Sequence, residues 1–279
     1  MEPGVLFGLS SAAAFGAGDF TGGLATRRAP AWAVAAGAQL VGLVLLLGLA
    51  AIIRPTTPDA TAVVYGAAAG VFGGLGLAAL YAGLSLGSMG LVAALSGVGS
   101  VAIPVLVGAA VFANALSAGQ WLGVGAAAVA GVLASGATTR GVDGRSLRLA
   151  AVAAVGLGLW FVLLDLATEQ HQLWALVASR GAAAVLIGSI AVVLSRRHGR
   201  AARGTWPLIA LAGALDVTGN ATFVLSAGTV PVGVAAALSG LYPVMTMLLA
   251  RLLLGDRLPP LALAAVGLAV AGIVLISIG

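Results

Sequence analysis

Apolar runs of about 20 residues, the length that carries a helix across a bilayer, recur along the whole chain with short polar joints between them. They predict ten spans, at 4–25, 31–53, 60–86, 90–112, 118–137, 147–167, 173–195, 205–227, 231–254 and 260–278. Barrel strands would alternate polar and apolar positions; these runs do not, so the spans are read as helices. The first run lacks a basic leader and carries "GDFTGG" where a cleavable signal is apolar, so it is read as a retained span.

Composition agrees with the pattern. Hydrophobic residues make up 61% of the 279 residues and charged residues only 8%, against roughly a quarter charged in soluble domains. The chain is therefore an integral membrane protein, with little length left for a soluble domain. The absence of Cys excludes disulfides, thiolate metal sites and Cys nucleophiles. The two His, His171 and His198, both fall at span ends, which excludes a buried multi-His metal site.

The basic residues are all Arg, and their placement orients the chain. The odd-numbered joints hold Arg27 and Arg28, Arg140, Arg145 and Arg148, then Arg196, Arg197, Arg200 and Arg203, then Arg257, whereas the even joints hold only Arg54. The positive-inside rule places the odd joints in the cytoplasm and both termini outside, most simply in a bacterial inner membrane. The net charge of +5 is accounted for in this way, and no nucleic-acid partner is needed.

Two segments repeat. "GLVAALSGV" at 90–98 and "GVAAALSGL" at 233–241 share six of nine residues without a gap, and "VAGVL" in span 5 answers "VAGIV" in span 10. The matches join span 4 to 9 and span 5 to 10, the register of two five-helix halves. Five is odd, so the second half enters the membrane from the opposite side. That predicts two inverted five-helix repeats around a central cavity, residues 1–138 and 147–279 joined by 139–146, with a site near the bilayer midplane.

The span-9 run "AAALSGLYPVMTMLLARLLLGDRL", with Ser-x-x-Tyr-Pro and a terminal Leu-Gly-acid-Arg-Leu, resembles the signature of the EamA-type transporters of the drug/metabolite transporter superfamily. "VGLAVAGIVLIS" in span 10 is similar to that family's closing helix. The resemblance implies a ten-helix carrier that moves amino acids, other metabolites or drugs through a cavity between its halves. The first half departs from the pattern, with its proline delayed to Pro104 and Asn114 near the place of the acid.

Four ionisable residues lie within spans, where a charge costs roughly 3 kcal/mol on insertion scales and so faces protein or water. Asp19 lies about 12 Å inside Arg27 along a helix, with Gln39 at similar depth on span 2. It can carry a proton, meet a substrate cation, or bond Gln39 as a structural residue. Asp216 and Asn220 share one face of span 8 and suit an amine or hydroxyl, or an inter-helix hydrogen bond. Asp165 and Arg180 match in depth and are read as a structural ion pair, the alternative being Arg180 as receptor for a carboxylate. Trp160, Tyr81 and Tyr242 fall inside helices, away from the interfacial belt, and can line a cavity or simply pack. Trp32, Trp121, Trp174 and Trp206 sit near span starts as interface anchors. The 42 Gly permit close helix contact, and Pro104, Pro231 and Pro243 are candidate helix breaks.

The leading expectation is a secondary transporter for a small amphipathic metabolite, working by alternating access with optional proton coupling. The partners would be a small-molecule substrate and the lipid bilayer, in a monomer or homodimer. No phosphate loop and no Lys exist for ATP-driven pumping, and no cofactor or metal is called for. The alternative is a membrane enzyme or flippase for lipid-linked substrates. It would have to rest on Asp165, Glu169 and His171, a set that a solvated loop explains better. A channel is disfavoured because no filter sequence is present.

Overall fold

The computed structural model describes residues 3–87, 89–111, 116–137, 143–167, 172–198, 203–230, 232–256 and 258–278. The regular elements among them are all helical: α1 (Pro3–Thr26), α2 (Ala31–Ile53), α3 (Ala60–Leu86), α4 (Met89–Val111), α5 (Ala118–Ala137), α6 (Gly144–Asp165), α7 (Gln172–His198), α8 (Trp206–Ala227), α9 (Val232–Ser239), α10 (Tyr242–Leu254) and α11 (Pro260–Ile278). Seven are long and apolar enough to cross a membrane, and the described parts of α5 and α10 are shorter apolar helices. Asn114, Pro231, Glu169, His171, Arg140, Arg200 and Arg257 lie outside the described residues.

Caps set several of the ends. The Asp59 carboxylate accepts from the Ala62 amide at 2.7 Å and starts α3. Asp143 does the same for the Arg145 amide at 2.8 Å, so α6 begins at Gly144 rather than near 147 as the hydrophobic run suggested. Gly255, with φ of 67°, closes α10 in the left-handed region, where glycine carries no Cβ penalty.

The ninth span differs from its expected form. It is broken into α9 and α10 at Gly240 and Leu241, whereas Pro104 sits inside an unbroken α4. Pro243 lies in the first turn of α10 and has no N–H to return to the carbonyl of Ser239, so the ladder restarts there. The hydroxyl of Ser239, at the break, is buried without a hydrogen-bond partner among the described residues.

The packing repeats when the halves are exchanged. Helix α1 runs along α8 as α6 runs along α3; α3 runs along α7 as α8 runs along α2; α4 lies beside α6 as α9 and α10 lie beside α1. Three pairs, α2 with α7, α4 with α10 and α5 with α11, map onto themselves. Small residues set the register of this symmetry. Gly66, Gly70 and Gly74 on α3 abut Ala175, Ser179 and Ala183 on α7, and Gly213 on α8 abuts the Ala38 backbone on α2, at 2.6 Å from where a Cβ would stand. With no side chain between them the backbones approach closely, the contact that replaces hydrophobic driving force inside a bilayer. Gly74 against Ala183 has its counterpart in Val217 against Gly42, and Gly76 against Gly156 in Gly219 against Phe15. These matches equate Ala38 with Ser179, Gly70 with Gly213 and Phe15 with Gly156.

Candidate functional site

The symmetry locates the centre of the molecule. Gln39 follows Ala38 and Arg180 follows Ser179, so the two are equivalent positions, and they touch: Arg180 Nη1 donates to Gln39 Oε1 at 2.7 Å. Equivalent residues in contact lie on the pseudo-two-fold axis. For inverted repeats that axis runs in the membrane plane, which puts the pair at mid-depth. Gln39 is 4% exposed and Arg180 8%.

Arg180 Nη2 forms a part-buried ion pair with the Asp216 carboxylate on α8. The guanidinium thus ties α7 to α2 and α8 at once. Gly42, whose absent Cβ would stand 3.4 Å from Arg180 Cδ, leaves room for the arginine stem. The Asp216 side chain is 26% exposed, so one side of the pair faces open space. Asp19 on α1 is half-buried and close enough to Asp216 for the two charges to interact, and it makes no hydrogen bond or ion pair with a described residue. Tyr81 lies within electrostatic reach of Asp19, Asp216 and Arg180, and Tyr242 within reach of Asp19. Tyr242 also stands edge-on to Phe15, ring centres 6.4 Å apart, at the start of the broken span's second segment.

The equivalent place in the other half is uncharged. Asp216 corresponds to Gly73 and Asp19 to Trp160. The indole of Trp160 occupies the space over Gly73, with Cδ1 at 2.5 Å from where a Cβ would stand. Its N–H donates to Ser179 Oγ at 2.9 Å, and Phe161 lies edge-on with ring centres 4.9 Å apart.

The structure therefore brings Gln39 and Asp216 onto Arg180, sets Asp19 near Asp216, and places Tyr81 and Tyr242 within electrostatic reach of Asp19, with Trp160 bonded to Ser179, the neighbour of Arg180 on α7. Asn220 stands on the same helix as Asp216 but turns its amide back onto the Asp216 carbonyl at 2.8 Å. One pairing is corrected: Arg180 bonds Asp216 and Gln39, not Asp165. Ser179 meets Trp160, more than a turn before Asp165, so Arg180 lies deeper than the exposed Asp165 at the end of α6. Matching depths by counting from the loop missed this, because residues in line on adjacent spans do not share a face. Ser239 was legible only as part of the Ser-x-x-Tyr-Pro motif.

Two carboxyl groups and one guanidinium leave one negative charge unmatched when all are ionised. A proton or an organic cation can neutralise it.

Seven long apolar helices, in halves that interlock around Arg180, Gln39 and Asp216, define a polytopic membrane protein. Residues 145–278 match the model of the EamA-like transporter family. A solved structure described only as the crystal structure of a protein is similar in fold, with a TM-score of 0.62 and 16% identity over 98% of this chain and 96% of that one. No curated protein matches.

Proposed function

We propose that the protein is a secondary transporter that moves a small amphipathic metabolite by alternating access, its halves being residues 1–138 and 147–279. The observation that carries this reading is Asp19, an unpaired acid beside the Arg180–Asp216 pair and next to the axis on which the halves would rock. Asp216 already has its cation, so Asp19 is the acid that receives a substrate amine or a proton, and the two compete for it. Tyr81 and Tyr242 border that position, Asn220 stands one turn along α8 from Asp216, and Trp160 lies on the opposite side, bonded to Ser179. The break between α9 and α10 fits a site of this kind, since interrupted helices free backbone groups for ligands. The Arg-rich face is cytoplasmic on this reading, and both termini face outward. One chain holds both halves, so a monomer suffices.

Thermal unfolding of the detergent-purified chain tests the proposal, against amino acids, amines, nucleosides and organic cations at two pH values, with Asp19→Asn in parallel. A ligand that raises the unfolding temperature of the wild type in a pH-dependent way, and leaves Asp19→Asn unmoved, is the expected result. Equal stabilisation of both proteins would remove Asp19 from the site.

A further inference from the structure

A groove of about 470 Å³ opens between α2, α7 and the start of α8 at the Arg-rich face, with Trp32, Ser195 and Trp206 at its rim and Leu40 and Ala184 at its inner end. Ala184 is one turn from Arg180, so the groove stops short of the charged cluster. Exchange of the halves explains why it stands there. Ala184 and Gly188 correspond to Leu43 and Leu47 on α2; α2 packs on α3, whereas α7 and α8 share no extensive packed face among the described residues. A Cβ at Gly188 would meet no atom within 4 Å. The groove positions on α7 are thus small where their α2 counterparts are leucines.

We propose that this groove holds one acyl chain of an anionic phospholipid, with the headgroup beyond Trp32 and Trp206, at the level of Arg27 and Arg28. The volume suits a single small ligand or chain, and Ser195 is the one hydroxyl in a lining otherwise of small aliphatic residues and indole. Trp32 and Trp206 mark the headgroup level. Exposed Arg27 and Arg28 precede Trp32 by about a turn. Basic pockets between spans select anionic headgroups, and a zwitterionic lipid would fill the same apolar space without using these charges. A chain lodged here keeps α7 from closing on α8 as α2 closes on α3. It therefore favours this arrangement of the halves over its inverse.

Native mass spectrometry of the full chain tests the assignment, after delipidation and addition of phosphatidylglycerol or phosphatidylcholine with identical chains. The wild type is expected to retain one phosphatidylglycerol with about a tenfold preference or more over phosphatidylcholine. Arg27→Gln with Arg28→Gln lowers that preference while keeping the lipid. Gly188→Leu, alone or with Ala184→Leu, loses it. Equal retention of the two lipids by the wild type overturns the headgroup assignment, and undiminished phosphatidylglycerol in a monodisperse Gly188→Leu protein overturns the groove. Should the leucine variants not fold, quenching of the wild-type tryptophans by phosphatidylglycerol with brominated chains decides. The groove requires that the quenching fall in Trp206→Phe, and unchanged quenching contradicts it.

Discussion

The two ends of the central site are built on one frame and filled with opposite chemistry. On one side α1 and α8 bring Asp19 to Asp216, and Arg180 reaches across from α7. On the other α6 and α3 bring Trp160 over Gly73, and the indole N–H rather than a charge reaches α7, at Ser179. The frame is kept by small residues at equivalent places, Gly70 and Gly213 above all. The contents differ at two pairs of positions, Asp19 with Trp160 and Asp216 with Gly73. An inverted repeat can thus hold its packing symmetric while keeping charge on one side and an aromatic ring on the other.

The largest effect should come from breaking the charged side. Arg180→Ala strands a part-buried carboxylate at Asp216 near a second at Asp19 and is expected to cost about 3 kcal/mol, the low end for a broken buried pair, read as a lower unfolding temperature in detergent. Adding Asp216→Asn to the same chain should recover much of the loss, since the stranded charge goes with it. A recovery of nothing would mean that Arg180 acts through its stem and Gln39 alone.

On the aromatic side the expected effect is smaller. Gly73→Leu forces the Trp160 ring out of its place and should cost about 1–3 kcal/mol, as overpacking does. Trp160→Ala in the same chain should relieve part of it. Trp160→Phe keeps the ring and deletes the N–H, which should cost about 1 kcal/mol through the lost bond to the buried Ser179 hydroxyl. If it costs as much as Gly73→Leu, the hydrogen bond outweighs the packing and the contrast between the two sides weakens.

How far the sequence carried this account depends on what kind of signal each part leaves. Span length and composition are local, so the helices were legible within a few residues, including the first of them despite its glycines. The repeat was legible in "GLVAALSGV" and "GVAAALSGL" because those helices face one another's equivalents and are held to the same small residues. The break at Gly240 and Leu241 was foreshadowed by Pro243, but Pro104 carries the same signal and sits in an intact helix, so the residue type alone does not decide. The candidate acids were visible because a charge in an apolar run stands out. Their pairing was not. Which face of α7 Arg180 occupies is set by Gly70 against Ser179 on a distant helix, and no spacing along α7 reports that.

The central claim is that Asp19 is the one mid-membrane acid free to exchange its charge partner. Infrared pH-difference spectra of the full chain in nanodiscs test it most directly, comparing wild type, Asp19→Asn and the exposed-site control Asp165→Asn. The account predicts an isotope-sensitive band of a protonated carboxyl in the wild type and in Asp165→Asn that is missing from Asp19→Asn, with the variant unfolding at no lower temperature than the wild type. A band that survives Asp19→Asn unchanged would contradict it and place the exchangeable proton elsewhere.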